Sequence, residues 1–231
     1  MKAELINYMG DDLSVVNAAR VSFDKTSTWE TVHVEPDPDD PYDWGGCYDR
    51  LSEKDTKLIQ FLAKHNHWTP FAHTAISLRM QAPVPIRTQC FKHKQGLVEN
   101  EESRRYIKST PQVYYPDVWR SKPEGNAKQG SAGPVEHQQY WRNEYQSAIN
   151  YSLSLYEEMI EAGVCPEQAR FVLPQGCEVN WVWTGNLYSF ANFYNKRTDP
   201  HAQKEVQDLA KEVGRIIEPL FPVSWKALTN G

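Results

Sequence analysis

The pattern that most constrains the fold is an apolar stripe near the C-terminal end of the sequence. Between residues 206 and 220, apolar side chains recur every three or four positions, which is the spacing of one helix face. The stripe consists of Val206, Leu209, Ala210, Val213, Ile216, Ile217 and Leu220. We expect Asp199 to be the N-cap of this helix and Pro200 to occupy its first position. An apolar helix face of this length predicts a packed protein core.

Helices and short strands follow one another elsewhere without a regular β-α alternation. The predicted elements are a strand over residues 2–9, a helix over 13–23 preceded by Asp11 and Asp12, a helix from Ser52 to about His65, a strand over 75–80 interrupted at Pro83, a helix restarting near Ile86 and a helix over 137–162. This order predicts an α+β fold rather than a doubly wound α/β fold. We expect one domain over residues 1–231, with a mixed or antiparallel sheet packed by long helices.

Two segments lack any periodicity and are rich in Asp, Pro, Gly or Ser. Residues 31–50 and 110–136 are therefore predicted to be polar loops or insertions.

Composition narrows the class of protein. The 231 residues carry a net charge of −5, which disfavours a nucleic-acid binder with a strongly basic surface. No apolar run approaches the roughly 20 residues of a membrane span, and the first residues do not resemble an export signal. The four cysteines are widely and irregularly spaced, so we expect isolated reduced thiols and a cytoplasmic protein without a membrane partner.

One segment reverses the acidic balance of the chain. Residues 79–108 contain seven Lys or Arg against three Glu. Lys92, His93 and Lys94 are expected on adjoining turns of a basic helix, and Ser103 stands beside Arg104 and Arg105. These cations and hydroxyls are the groups that hold phosphates, although a solvated helix face would give a similar composition. The residues alone indicate a nucleotide site.

The same segment resembles the signature of flavin-dependent thymidylate synthases, which is Arg-His-Arg, seven residues and then Ser, within Asn-Glu-x-Ser-x-Arg-Tyr. Here Lys92, His93 and Lys94 replace the triplet, and eight residues separate Lys94 from Ser103. Lysine keeps the charge but loses the bidentate fork of arginine. Further stretches resemble the family in the same order along nearly the whole chain, at residues 18–23, 65–73, 169–174 and 195–203. The two predicted loops lie outside the resemblance.

The resemblance implies an enzyme that methylates dUMP to dTMP with FAD as cofactor and with NADPH and 5,10-methylenetetrahydrofolate as co-substrates. The implied dUMP-binding residues are Gln89, Lys92, Glu101, Ser103, Arg104, Arg105, Arg170 and Arg197. The implied FAD-binding residues are His67, Thr69, Lys92, His93, Lys94, Glu101, Asn186, Tyr188, Asn192 and His201. Tyr188 stands where the family often has another arginine.

The resemblance also implies how the reaction is catalysed. Arg197 would stabilise negative charge on the uracil ring and so raise the nucleophilicity of C5, without a cysteine nucleophile. No cysteine has a neighbouring motif for that role. Ser103 is interpreted as a phosphate or sugar contact rather than a covalent nucleophile, and Arg197 could instead form an ion pair with Asp199 at a helix start. A homotetramer with active sites between subunits is implied as well.

Two other classes of function remain open from the residues. His65, His67, His73 and His93 could bind a metal in a nucleotide hydrolase, but their spacing is poor for a metal site, and we expect none. A non-catalytic nucleotide-binding or RNA-binding module could use the basic segment with Tyr106, Tyr114 and Tyr115 as stacking surfaces, against the net charge. Metal analysis and a flavin spectrum would discriminate the three classes.

Overall fold

A computed structural model describes residues 1–40, 42, 44–123 and 130–229. Its central layer is a four-stranded sheet of β1 (Lys2–Met9), β4 (Ala75–Pro83), β5 (Leu97–Glu101) and β6 (Glu178–Gly185). The strands lie in the order β1-β4-β6-β5, and every neighbouring pair is antiparallel. The predicted α+β class with an antiparallel sheet is confirmed.

Helices pack against the sheet and against one another. The helices of the described residues are α1 (Asp12–Arg20), α2 (Glu53–Lys64), α3 (Val84–Cys90), α4 (Gln138–Glu161), α5 (Pro166–Ala169), α6 (Leu187–Arg197), α7 (Lys204–Ile217) and α8 (Pro222–Thr229). Short 3-10 turns cover Val21–Phe23, Thr69–His73 and Arg170–Val172. No helix within the described ranges is both long and apolar enough to cross a membrane.

The core lies between one face of the sheet and the helices. In β4 the alternation predicted from sequence buries Ile76, Leu78 and Met80, while β6 contributes Trp181 and Trp183 to the same core cluster. On α7, Val206, Leu209, Ala210, Val213 and Ile217 of the predicted stripe are buried, whereas Ile216 and Leu220 are partly buried. The stripe therefore packs as predicted.

Local signals set several helix starts. Asp11 forms a capping box with Ser14 at the start of α1, and the Ser52 hydroxyl accepts from the Asp55 amide at 3.0 Å at the start of α2. Asn186 caps α6 through the Ser189 amide at 2.9 Å. Arg197, the last residue of α6, lies close to the end of α3.

The predicted start of the last long helix is wrong. Helix α7 begins at Lys204, with Gln203 as N-cap. The Asp199 carboxylate instead accepts from the His201 amide at 2.7 Å, and Ala202 N donates to Asp199 O at 2.9 Å. The Asp-Pro pair therefore closes a separate turn before the helix, because the carboxylate satisfies the nearer backbone donor.

The basic segment is not one helix. Helix α3 ends at Cys90, a turn follows, and residues from Leu97 onward form strand β5, which pairs with β6. Gly96, with a φ of +70°, lies at the end of this turn, just before β5 begins. The prediction of a basic helix failed here because it rested on the number of cations in the segment. The strand is determined instead by burial of Leu97 in the core and by pairing with β6.

The two predicted loops differ from each other. Residues 31–50 contain most of a hairpin, β2 (Glu30–Val34) paired with β3 (Gly46–Arg50), so the expectation of an irregular segment is wrong at both of its ends. Residues 110–123 and 130–136 are largely irregular, with isolated bridges at Val113 and Arg120. Residues 41, 43 and 124–129 of these predicted loops lie outside the described residues.

Candidate active site

Three of the predicted site residues line one cavity of about 730 Å³. The cavity lies between α3, the end of α6, the turn before α7 and residues 114–120 and 130–131. Gln89, Arg197 and His201 are in its wall. Tyr114, Trp119 and Tyr145 also line it, so charged and amide groups face a partly aromatic space. Such a mixture suits a flat polar ring with a charged substituent.

Arg197 is held in this wall by two hydrogen bonds. Its Nε donates to His93 Nε2 at 2.9 Å, and its Nη2 donates to the backbone oxygen of Gln89 at 3.0 Å. The remaining guanidinium N–H groups have no acceptor in the part of the chain that the structure describes, and they can donate to a ligand. Asp199 pairs with His201 rather than with Arg197, so the interpretation of Arg197 as half of a helix-start ion pair is wrong.

His93 is the partner that orients the guanidinium. Its ring packs edge-on against Phe193 at a centroid distance of 5.1 Å. Burial, together with the positive charges of Arg197 and Lys196, lowers the pKa of His93 to about 4. The ring is therefore neutral near pH 7. Because Nε2 accepts the bond from Arg197, the ring proton is on Nδ1.

A second cavity of about 910 Å³ collects part of the predicted flavin set. His67, Tyr188 and Asn192 line it together with Trp68. The Tyr188 hydroxyl donates to Asn66 Oδ1 at 2.8 Å, and its ring lies 6.0 Å from that of Trp68. Aromatic faces beside amide and imidazole groups can hold a flat heterocycle and its polar edge.

Other predicted flavin residues lie outside the walls of that cavity. Thr69 is exposed at the start of a 3-10 turn, and Asn186 caps α6. Lys92 and Lys94 are exposed in the turn after α3, and Lys94 forms an ion pair with Glu99.

The turn that follows α3 packs tightly on the start of α6. A Cβ atom added at Gly96 would lie 2.2 Å from Ser189 Oγ and 2.8 Å from Asn186 Nδ2. This close approach joins the basic turn to Asn186.

Glu101 lies at the end of β5 beside a cation. Its Oε2 is 2.9 Å from Arg87 Nε, an ion pair without the angle of a hydrogen bond, and burial raises the pKa of Glu101. A carboxylate that lacks a well-directed donor can accept from a ligand N–H or O–H group.

A third cluster gathers the predicted phosphate-binding residues. Arg105 Nε lies 3.3 Å from Glu167 Oε2, and Arg170 Nε donates to the backbone oxygen of Glu167 at 3.3 Å. Ser103 is in the same turn as Arg105 and accepts from its amide at 3.4 Å, while Arg104 donates to the backbone oxygen of Ser109. Residues about 65 positions apart in sequence are thus brought to one surface through Glu167.

Sequence reasoning missed several residues of these clusters. Glu167 joins the two arginines, and Gln203, Glu205 and Arg120 form a hydrogen-bonded series next to Gln89. Gln203 was inside a stretch that resembles the family, so that resemblance was an available signal. Arg120 lies in a segment read as an insertion, and nothing in its local sequence indicated a role.

The cysteines are in environments that disfavour a thiolate nucleophile in the wall near Arg197. All four are free. Burial raises the pKa of Cys90 to about 12 and that of Cys177 to about 11. Cys47 and Cys165 are exposed and line neither of the two large cavities. Over the ranges that the structure describes, no group of three or more His, Cys, Asp or Glu side chains could hold a metal ion.

The fold and the site define an α+β protein with an antiparallel sheet. It has two large cavities and a cluster of arginines, which are features of a protein that binds phosphate-bearing ligands. The model of the family described as "Thymidylate synthase complementing protein" matches residues 4–223. The chain therefore belongs to this family, that of the flavin-dependent thymidylate synthases.

Individual relatives agree with the family model. A flavin-dependent thymidylate synthase of Thermosipho africanus is 33% identical over 224 residues, covering 96% of this chain and 88% of the relative. The enzyme of that name from Thermus thermophilus is 29% identical over 96% of this chain and 73% of the relative. The solved UMP/dUMP methylase PolB of Streptomyces cacaoi, bound with 5-Br dUMP, is 25% identical with a TM-score of 0.80, covering 99% of this chain and 94% of that one.

Proposed function

We propose that this protein is a flavin-dependent thymidylate synthase that methylates dUMP to dTMP with bound FAD, using 5,10-methylenetetrahydrofolate as carbon donor and NADPH as reductant. The family match over residues 4–223 and the similarity to a UMP/dUMP methylase support dUMP methylation and the flavin. They give no support to a metal-dependent hydrolase or an RNA-binding module. The two co-substrates rest on the family resemblance of the sequence.

The contact between Arg197 and His93 is the observation that carries the proposal. The two residues come from motifs about a hundred positions apart, and their side chains meet at 2.9 Å in the wall of a cavity that also contains Gln89. A neutral histidine holds the guanidinium without neutralising it. Arg197 therefore keeps a full positive charge and free N–H donors toward the cavity, as stabilisation of an electron-rich uracil ring requires.

Two groups of residues would hold the nucleotide. Ser103, Arg104, Arg105 and Arg170 supply the cationic and hydroxyl donors for the phosphate, with Lys92 and Glu101 nearby on the same chain segment. Gln89 and Arg197 face the base. In this assignment, Arg105 and Arg170 contact Glu167 when no phosphate is bound.

The residues of the second cavity and of the basic turn fit the chemistry of FAD. The wall with His67, Tyr188 and Asn192 offers aromatic faces and amide donors. Thr69 and Asn186 are outside this wall but close in sequence to residues that line it. Lys92, His93, Lys94, Glu101 and His201 supply charged and ring nitrogen or oxygen groups. When bound, FAD supplies the hydride that completes the methyl group, while the protein orients the reactants.

The proposed assembly is a homotetramer with active sites between subunits, in the cytoplasm. In one chain, His67, Tyr188 and Asn192 of the predicted flavin set line one cavity, whereas Gln89 and Arg197 line another, which favours completion of each site by another copy. Helix α4 exposes Tyr140, Trp141 and Tyr151, which is typical of an interface. The free cysteines are compatible with a reducing compartment.

A reconstitution assay tests the function. The protein is purified, its visible spectrum is recorded before and after addition of FAD, and dTMP is measured with dUMP, 5,10-methylenetetrahydrofolate and NADPH. Omission of each component in turn, and replacement of NADPH by NADH, are the controls. We expect a flavin spectrum and dTMP formation that needs every component. A protein that takes up no FAD, or that forms no dTMP with all components present, would refute the proposal.

A further inference from the structure

Four side chains connect the inserted segment to the base-facing residue Gln89. Arg120 Nη2 donates to Glu205 Oε1 at 2.5 Å, and Gln203 Nε2 donates to Glu205 Oε2 at 2.9 Å. Gln89 Nε2 in turn donates to Gln203 Oε1 at 2.6 Å. All four residues line the cavity that contains Arg197. We call this series the amide relay.

The relay has a fixed direction because it begins at an ionised carboxylate. Glu205 is buried, with only 10% of its side chain exposed, and Arg120 pairs with it. Burial works to raise its pKa, but hydrogen bonds from Arg120 and Gln203 hold the pKa of Glu205 below its usual value. An ionised carboxylate only accepts hydrogen bonds, so Gln203 has to turn its NH₂ group toward Glu205.

The orientation of each amide then determines the next. With its NH₂ group on Glu205, Gln203 presents its oxygen to Gln89. Gln89 must donate to that oxygen from its own NH₂ group, which fixes the position of Gln89 Oε1. Over residues 1–40, 42, 44–123 and 130–229, no protein group donates to Gln89 Oε1. One N–H of Gln89 and its oxygen are therefore held in a set arrangement beside Arg197.

A fixed amide distinguishes uracil from cytosine. Along the edge formed by ring positions 3 and 4, uracil presents an N–H donor and an oxygen acceptor, whereas cytosine presents a nitrogen acceptor and an amino donor. An amide held in one orientation pairs with only one of these two patterns, whereas an amide that can flip pairs with both.

We propose that Glu205 and Gln203 are positioning residues that fix the amide of Gln89, so that the cavity accepts a uracil nucleotide and rejects a cytosine nucleotide. This inference rests on the proposed function, since it assumes that dUMP binds beside Arg197. Arg120 contributes by holding Glu205 charged and in place.

Binding of dUMP and dCMP to the FAD-bound protein, measured by calorimetry, tests the relay. The wild-type protein should prefer dUMP by about tenfold to a hundredfold, the discrimination typical of a good bidentate amide–base contact. Glu205→Gln permits either amide orientation and should reduce the preference to about threefold or less. Glu212→Gln, the same change at a partly exposed position of α7, should leave the preference unchanged.

Two further variants keep the test decisive. Gln203→Leu removes the acceptor that orients Gln89 and should lose the preference even if Glu205→Gln does not fold, while Arg120→Lys retains a cation and should keep it. A wild-type preference in Glu205→Gln or in Gln203→Leu would overturn the inference and leave the proposed function intact. A wild-type protein that binds no dUMP would overturn both.

Discussion

Arg197 is positioned by its neighbours rather than by an opposite charge, and this determines how its substitution should behave. Arg197→Ala should lower kcat by about a hundredfold to a thousandfold, as removal of one preorganised donor does in other sites. The fold and the bound flavin should persist, because the side chain is only partly buried. Initial rates of dTMP formation and the flavin spectrum measure both effects.

The matched control for Arg197 is its neighbour Lys196, which is exposed at the end of the same helix. Lys196→Ala removes an equal charge but no contact to His93 and should retain most activity. Full turnover in Arg197→Ala would remove this residue from the chemistry.

His93, the hydrogen-bond partner of Arg197, should make the free energy of unfolding depend on pH. Its pKa in the folded protein is about 4, against 6.5 for a free histidine. Between these values the unfolded chain binds a proton that the folded protein does not, so the free energy of unfolding falls as the pH is lowered from 6.5 toward 4. His93→Gln keeps an acceptor for Arg197 but does not titrate.

We therefore expect wild type to lose more stability than His93→Gln between pH 7.5 and pH 5. The extra loss should be about 1 kcal/mol, after allowance for solvent screening of a half-buried ring. Urea unfolding at both pH values measures it. Equal losses in the two proteins would show that His93 titrates normally.

At the scale of elements, the turn between α3 and β5 depends on close packing against α6. Gly96→Ala places a Cβ 2.2 Å from Ser189 Oγ at a φ of +70°, so we expect a loss of about 2–4 kcal/mol in the free energy of unfolding. FAD retention should fall with it, since the change displaces Asn186 and the basic turn. Gly133→Ala, where the added Cβ meets nothing within 4 Å, should change stability by less than about 0.5 kcal/mol. Equal stability of both variants would contradict the tight packing.

The start of α5 joins two elements that the phosphate assignment requires. Arg105 follows β5 and Arg170 follows α5, and Glu167 contacts both. Replacement of either arginine by Ala should weaken dUMP binding by about 1.5–3 kcal/mol, the usual cost of a hydrogen bond to a charged group. Calorimetric titration measures this, and Arg215→Ala on the exposed face of α7 is the control. Unchanged affinity in both arginine variants would refute the phosphate assignment.

Elements with long periodic patterns were predictable from the sequence, whereas those set by tertiary contact were not. The α7 stripe and the alternation of β4 are repeated over several turns or pleats, so the hydrophobic pattern alone determines which face is buried. The start of α7 and the strand β5 are short features, where a local cap signal or a basic composition competes with pairing and packing. The hairpin of β2 and β3 was not predicted for the same reason.

The candidate site likewise contains residues that the sequence could indicate and residues that it could not. The cations and amides could be named from their motifs, because phosphate and nucleotide binding require such residue types at close spacing. Glu167 and Arg120 could not, since each acts through a partner distant in sequence and has no local motif. Their contribution follows only from the folded chain.

At the scale of the whole molecule, the proposed homotetramer predicts a particular mass in solution. Light scattering should give a mass four times the chain mass of 26.7 kDa. Interface variants such as Trp141→Glu on α4 should lower this mass, because a charge would replace an exposed aromatic ring in an apolar contact. A monomer with full activity would contradict the assembly.

Subunit mixing provides the sharper test of sites shared between copies. His67→Ala alters the cavity proposed for FAD and Arg197→Ala alters the one proposed for the base, so each homotetramer should be inactive or nearly so. If one site takes these residues from different subunits, a hybrid contains some sites with both substitutions and some with neither. Activity should therefore return when the two variants are unfolded and refolded together, but not when they are mixed after folding. A co-refolded mixture that forms tetramers and remains inactive would show that each chain supplies a complete site.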